Sequence, residues 1–201
     1  MTYLRISPQE VKPAIVNLVA GSLKIGQVAV LPTDTIYGFS CLADDAAAIR
    51  RIYRLKKRAG DKPLIILVDS LAMLKKYVFV SARQARLLKQ IWAGSRPTTV
   101  ILKHRGRLPR ELSANSDGLA VRLPKSKFLI KIIRIVKKPL VSTSLNLSGK
   151  DNINNPKSLF HYFPEKHHRP DLVVDTGPCR RRRPSRVIDL RNEQLPLILR
   201  K

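Results

Sequence analysis

Apolar positions along the chain recur at two periods, and the exchange between them predicts interleaved helices and strands. The clearest helical stretch is 127–136. There Phe128, Leu129, Ile132, Ile133 and Val136 share one face, while Lys127, Lys131, Arg134 and the following Lys138 mark the other. A second helix opens at Asp44 or Asp45, runs to about residue 57, and carries Arg50, Arg54 and Lys57 as its polar stripe. Near the start, Ser7-Pro8-Gln9-Glu10 reads as a capping box with proline at the first helical position. It predicts a helix with Val11, Ile15, Leu18 and Val19 inward, stopped by Gly26. Further helices are expected at 71–77 and 82–92. Short apolar runs predict strands at 28–31, 37–41, 64–68, 99–103 and 119–123, the first broken by Pro32. Others follow at 140–143, 172–174, 186–190 and 197–199. No internal repeat or low-complexity segment interrupts the order. The interleaving is irregular, so the expected class is α/β of the α+β type, a mixed sheet with helices packed on it.

Composition narrows the class. The chain has 201 residues, the length of one domain spanning 1–201, and 44% of them are hydrophobic, enough to build a core and to exclude a disordered polycation. No run of about 18 apolar residues is present, so no transmembrane helix is expected. The opening MTYLRISPQE lacks the pattern of a secretory signal. Two cysteines, Cys41 and Cys179, are too few for a disulfide framework, which makes a reducing cytoplasm the expected compartment. No CxxC or His/Cys cluster has structural-zinc spacing. Lys and Arg number 39 against 14 Asp and Glu, a net charge of +25 that calls for a polyanionic partner, RNA among them. The basic residues concentrate at 50–58, 103–110, 125–138 and 180–186.

Four segments carry candidate chemistry. Pro32-Thr33-Asp34-Thr35-Ile36-Tyr37-Gly38 joins two predicted strands, and its short polar side chains can present hydroxyls to a small polar ligand. The alternative is a plain turn with Asp34 bonded to its own backbone. Residues 55–64 carry Lys56, Arg58 and Lys62 from a helix end into a strand. Such cations complement the helix C-terminal dipole, and they can also clasp a polyphosphate, lysine as a point charge and arginine as a fork. The segment contains no GxxxxGK[ST], so it is not a P-loop. Ser142-Thr143-Ser144-Leu145-Asn146-Leu147-Ser148-Gly149 leaves an apolar strand with a hydroxyl and an amide two apart. Neutral donors of this kind suit a nucleotide or carboxylate, although Ser, Asn and Gly are also ordinary loop residues. In Val121-Arg122-Leu123-Pro124, an arginine inside an apolar strand needs a partner. With acids so scarce, a ligand carboxylate or phosphate would serve, as would backbone carbonyls. None of His104, His161, His167 and His168 stands beside a GxSxG-type turn, and no HExxH motif or dense carboxylate cluster suggests a catalytic metal. An enzyme with this inventory works by orientation and electrostatics on phosphate rather than through a covalent intermediate.

Taken in order, Pro32 to Gly38, the Lys56-x-Arg58 pair, Val121-Arg122-x-Pro124 and Ser144-x-Asn146-x-Ser148-Gly149 resemble the YrdC family, specifically its short TsaC-type threonylcarbamoyl-AMP synthases. Asp175-Thr176-Gly177 and Pro184-Ser185-Arg186-Val187-Ile188-Asp189 resemble the family's last loop and strand, so the likeness covers roughly 10–190. The resemblance implies a YrdC-like open, strongly twisted mixed β-sheet with flanking helices and a basic concave cavity. It implies that L-threonine, bicarbonate and ATP give threonylcarbamoyl-AMP and pyrophosphate, for the t6A modification of tRNA. On this likeness Lys56 and Arg58, with Lys62, hold the phosphates, Ser144 and Asn146 position the nucleotide, and Ser185 closes over it. Thr33, Thr35, Arg122 and Ser142 contact threonine. Mg²⁺ arrives with ATP, and no metal is caged by protein. Partners are tRNA through the basic surface and downstream threonylcarbamoyl-transferase proteins, with no membrane. The chain departs from the family pattern at Arg96, where glycine is usual, at Ala59 after the Lys-x-Arg pair, at Leu145 inside Ser-x-Asn, and in the basic run 180–183. It is expected to end before the extra C-terminal domain of longer members. The alternatives are a YrdC-like RNA-binding module without the synthase chemistry, and a paralogue acting on another nucleotide.

Overall fold

In the computed structural model, which describes residues 1–7, 12–179 and 184–201, the chain opens with β1 (Thr2–Arg5) and α1 (Pro13–Lys24). The capping box at residues 7–10 falls almost wholly outside the described residues. The helix starts later than that motif suggests, with Pro13 in its first turn, where a missing N–H leaves nothing unpaired. Its buried face is Val16, Val19, Ala20 and Leu23, whereas Leu18 is exposed and Ile15 only half-buried. The later start and the packing of this helix decide which positions turn inward; of the expected residues that are described, Val19 is fully covered, and Val11 lies outside the described residues.

The next elements match the hydrophobic pattern closely. They are β2 (Ala29–Leu31), β3 (Gly38–Ser40), α2 (Ala46–Lys56), β4 (Ile65–Leu67), α3 (Leu71–Tyr77) and α4 (Ala82–Ala93). Asp45 is the α2 cap, its carboxylate accepting from the Ala48 amide at 2.9 Å. Lys57 closes that helix in the left-handed region at φ 48°. Ser81 and Gln84 form a reciprocal capping box at the start of α4.

After β5 (Thr98–Lys103) and β6 (Gly118–Arg122) comes α5 (Lys127–Val136), with the two faces expected of it. Phe128, Leu129, Ile132, Ile133 and Val136 are buried, and Lys127, Lys131 and Arg134 are exposed. Covering five such side chains contributes on the order of 10 kcal/mol before ordering costs are subtracted. The helix packs against α1. The rest comprises β7 (Leu140–Ser144), the short α6 (Leu159–Tyr162), β8 (Leu172–Asp175), β9 (Arg186–Asp189) and β10 (Leu197–Arg200). β1 and α6 carry no period long enough to be read from sequence.

The ten strands among the described residues join one mixed, open sheet in the order β1-β8-β2-β3-β7-β4-β6-β5-β9-β10. Among the central strands β3, β7, β4, β6 and β5 every pairing is antiparallel except the parallel β4–β6 pair, so segments distant in sequence end side by side. Arg51 holds Asp171 as an ion pair, and Asp171 also accepts from the Val28 amide, tying α2 to the edge half of the sheet. Cys41 and Cys179 are not joined in a disulfide.

Candidate active site

The segment 32–38 enters the sheet beside β7, because Gly38 stands opposite Ser144 in the β3–β7 pairing. A Cβ at position 38 would lie 2.9 Å from the Thr143 carbonyl oxygen and 3.2 Å from the Ser142 hydroxyl. Only glycine permits that approach. Thr33 then shapes the turn: its hydroxyl donates to the Ile36 carbonyl at 2.7 Å and accepts from the Thr35 amide at 3.0 Å. This local bonding belongs to Thr33, whereas Asp34 reaches outward to the Lys125 amide at 3.2 Å and to Arg122 at 3.4 Å.

A cavity of about 440 Å³ opens next to this turn. Its cations are Arg58, Lys62, Arg122 and Arg200, its hydroxyl residues include Thr35, Thr99, Ser142, Ser144 and Ser185, and no carboxylate among the described residues lines it. Arg122, at 4% exposure, donates from Nη1 to the Thr35 hydroxyl at 3.0 Å, and its Nε has no hydrogen-bond partner. Burial pulls its pKa down, and the Asp34 carboxylate opposes that pull. The arginine in the apolar strand thus has a protein partner, Asp34, and still keeps an unused buried donor. Such a fork suits a ligand carboxylate.

Arg58 lies half-buried past the end of α2, anchored by Nε to the Lys62 carbonyl at 3.2 Å and by Nη2 to the Pro63 carbonyl at 2.9 Å. Lys62 is exposed at the cavity rim. Lys56 is placed differently. It is 1% exposed and does not line the cavity; its Nζ donates to the Ser144 carbonyl, to the Asn146 carbonyl at 3.0 Å and to Asn146 Oδ1 at 2.6 Å. The Ser144 hydroxyl also donates to Asn146 Oδ1, at 2.8 Å. Lys56 and Asn146 therefore sit behind the wall that Ser144 presents. Burial first, and then Arg58, lowers the Lys56 pKa from 10.5 to about 7.

Of the residues singled out by sequence, Thr35, Arg58, Lys62, Arg122, Ser142, Ser144 and Ser185 converge on the cavity. Thr33 faces an adjoining groove with Arg96, which is exposed there, and Thr35 and Pro184 separate the two spaces. Leu145 is fully buried and Ala59 exposed, while residues 180–183 lie outside the described residues.

Arg200 went unnoticed in the sequence. It donates to the Ser185 carbonyl at 2.8 Å and to the Ser185 hydroxyl at 3.3 Å, while that hydroxyl pairs with Thr99 at 2.8 Å. A bulge between Ile198 and Arg200 sets Arg200, not Leu199, opposite Val187, itself a cavity residue. Simple alternation along 197–200 could not reveal it. Tyr37 is a second addition. Its hydroxyl donates to the Gly177 carbonyl at 2.7 Å and accepts from the Thr176 amide at 2.9 Å, fastening the loop after β8 to the turn.

A family profile named for Sua5, YciO and YrdC, and described as "Telomere recombination", matches residues 22–201. The chain belongs to the Sua5/YciO/YrdC family. The threonylcarbamoyl-AMP synthase of Pyrococcus abyssi is 32% identical over 186 residues, 92% of this chain and 53% of that protein. The synthase of Klebsiella pneumoniae is 32% identical over 170 residues, 83% of this chain and 86% of that one. The chain thus spans about half the length of the archaeal relative and most of the bacterial one. In three dimensions it is similar to P. abyssi Sua5 in its complex with L-threonine, at a TM-score of 0.88 and 28% identity, covering 100% of this chain and 57% of that one. It is also similar to Escherichia coli YciO, at a TM-score of 0.86 and 25% identity, covering 100% and 96%. The open twisted sheet with flanking helices is the Sua5/YciO fold.

Proposed function

We propose that the protein is an L-threonylcarbamoyladenylate synthase, which makes threonylcarbamoyl-AMP and pyrophosphate from L-threonine, bicarbonate and ATP for t6A modification of tRNA. The observation that carries this reading is the buried Arg122 fork beside Thr35, facing a cavity that the described residues line with three further cations and no carboxylate. Its relatives named threonylcarbamoyl-AMP synthase, and the P. abyssi homologue solved with L-threonine, support it.

The chemistry fits the inventory. The threonine amine adds to bicarbonate and loses water, giving a carbamate whose oxygen attacks the α-phosphorus of ATP while pyrophosphate leaves. No protein nucleophile is required, so catalysis rests on holding like-charged reactants together. Arg122, Thr35 and Ser142 receive the amino acid. Arg58, Lys62 and Arg200 neutralise the triphosphate, with Ser144 and Ser185 orienting the nucleotide. Lys56 and Asn146 act from behind by fixing the loop that carries Ser144. Because the described cavity residues include no carboxylate, Mg²⁺ enters on the ATP phosphates rather than in a protein cage.

The downstream partners are the transferases that accept the labile adenylate, and the working compartment is the cytoplasm. The exposed basic faces of α2 and α5 supply a surface for tRNA phosphates. No described helix is long and apolar enough to cross a membrane.

Pyrophosphate release from ATP, measured with and without bicarbonate and L-threonine and with serine as control, tests the proposal. Release that requires both threonine and bicarbonate is expected. Folded protein with no threonine-dependent release overturns it and leaves the RNA-binding module, for which a steep salt dependence of tRNA affinity would be the signature.

A further inference from the structure

Away from the cavity, the segment leading from α6 into β8 contains Glu165, His167 and His168 within four residues. Lys166–His168 form one turn of 3-10 helix with Glu165 at its N-cap, closed by the His168 amide on the Glu165 carbonyl at 3.0 Å. In such a turn positions three apart eclipse one another, which stacks His168 over Glu165. His168 Nδ1 and His167 Nε2 each stand 2.8 Å from the same oxygen, Glu165 Oε2. The imidazole rings lie 4.2 Å apart at a tilt of 48°, and the three ligand atoms fall within 4.8 Å of one another. The base of the turn is anchored: Arg169 donates to the Phe163 and Pro164 carbonyls and lies over the Phe160 ring. Its guanidinium is thereby held against the chain rather than aimed at the carboxylate.

We propose that Glu165, His167 and His168 form a surface site for a borderline divalent transition ion, Zn²⁺ or its Ni²⁺ and Cu²⁺ neighbours, independent of the catalytic cavity. Two imidazole nitrogens and a carboxylate oxygen are the donor set these ions take, leaving a position for water. Tetrahedral Zn²⁺ with bonds of about 2.0–2.1 Å needs donor atoms roughly 3.4 Å apart. The two nitrogen–oxygen separations of 2.8 Å reach that spacing by side-chain rotation alone. All three residues are exposed, so entry needs no opening of the fold. Hard ions such as Mg²⁺ and Ca²⁺ prefer oxygen ligands and are excluded by chemistry rather than by size. His104 and His161 are not among the residues whose ligand atoms converge here.

The test is calorimetric titration of the full chain with Zn²⁺ alone, beside Mg²⁺ and Ca²⁺. One Zn²⁺ per chain is expected, with no heat of binding for the hard ions. His167→Ala, His168→Ala and Glu165→Gln should each weaken Zn²⁺ binding at least as much as the roughly 10- to 100-fold that losing an outer-shell partner costs. His161→Ala should bind as the parent does. Pyrophosphate release at saturating ATP should be equal in all of them, which separates this site from the proposed activity. Absence of Zn²⁺ binding by the parent chain, or undiminished binding by the His167→Ala/His168→Ala double variant, overturns the proposal.

Discussion

Lys56 Nζ lies 2.6 Å from Asn146 Oδ1, so the two motifs that frame the cavity wall are bonded directly to each other across 90 residues of sequence. The same ammonium donates to the Ser144 and Asn146 carbonyls, matching three N–H groups to three oxygens. It also stands 5.8 Å above the Phe39 ring. One buried cation thereby sets the course of the loop that presents Ser144.

That burial has a pH signature. The folded chain releases the Lys56 proton near pH 7, while the unfolded chain keeps it to about 10.5. Between those values the unfolded state binds more protons, so stability rises with pH across the window. Urea unfolding from pH 7 to 9.5 should show this rise in the parent and not in Lys56→Met. Parallel pH profiles for the two proteins would refute it.

Arg122 and Thr35 predict a split in the kinetics. Thr35→Val removes the acceptor 3.0 Å from a buried guanidinium, and hydrogen bonds to charged groups contribute about 1.5–3 kcal/mol. The KM for threonine should rise roughly 10- to 100-fold while the KM for ATP stays near its parent value. Arg122→Lys should not rescue threonine binding, because a point charge lacks the planar fork. Steady-state pyrophosphate release over a threonine series measures both.

Gly38 should tolerate no side chain. The added methyl of Gly38→Ala meets the Thr143 carbonyl at 2.9 Å, and overpacking of this kind costs about 1–3 kcal/mol. Gly60 has nothing within 4 Å of its would-be Cβ, so Gly60→Ala should change stability by less than about 0.5 kcal/mol. Chemical denaturation of both variants decides the matter, and equal effects would contradict the close approach at β7.

Arg200 predicts the complementary kinetic split. Its guanidinium, drawn below the usual arginine range by burial, reaches Ser185 from the last strand of the sheet. Arg200→Ala should raise the KM for ATP at least about 10-fold with threonine affinity preserved. Arg122 variants should show the reverse. A variant with unchanged ATP dependence would remove Arg200 from the nucleotide side of the cavity.

Much of this fold was legible in one dimension. The helices expected at 127–136 and 71–77 have their observed bounds, because a periodic apolar face is set within a few positions. The central strands were visible as apolar runs for the same local reason. α1 was expected as a helix but begun too early, since its start depended on Pro13 and its inward face on packing against α5. Thr35, Arg58, Ser142 and Ser144 were visible as polar groups at strand or helix ends and Arg122 as a charge inside an apolar strand, whereas Ser185 came only with the family resemblance.

Sequence alone accordingly settled the longer helices and the central strands, for these depend on near neighbours and periodicity, while β1 and α6 were too short to show a period. The sheet order was decided only in three dimensions: β3, β7, β4 and β6 become adjacent through pairings that no local pattern encodes. So was the division of labour at the site. Lys56 and Arg58 are two residues apart, yet one is sealed behind the wall and the other faces the cavity, because the left-handed turn at Lys57 sends the chain in a new direction. Arg200 enters the cavity only through a bulge in pairing with β9, and a bulge is a property of two strands together.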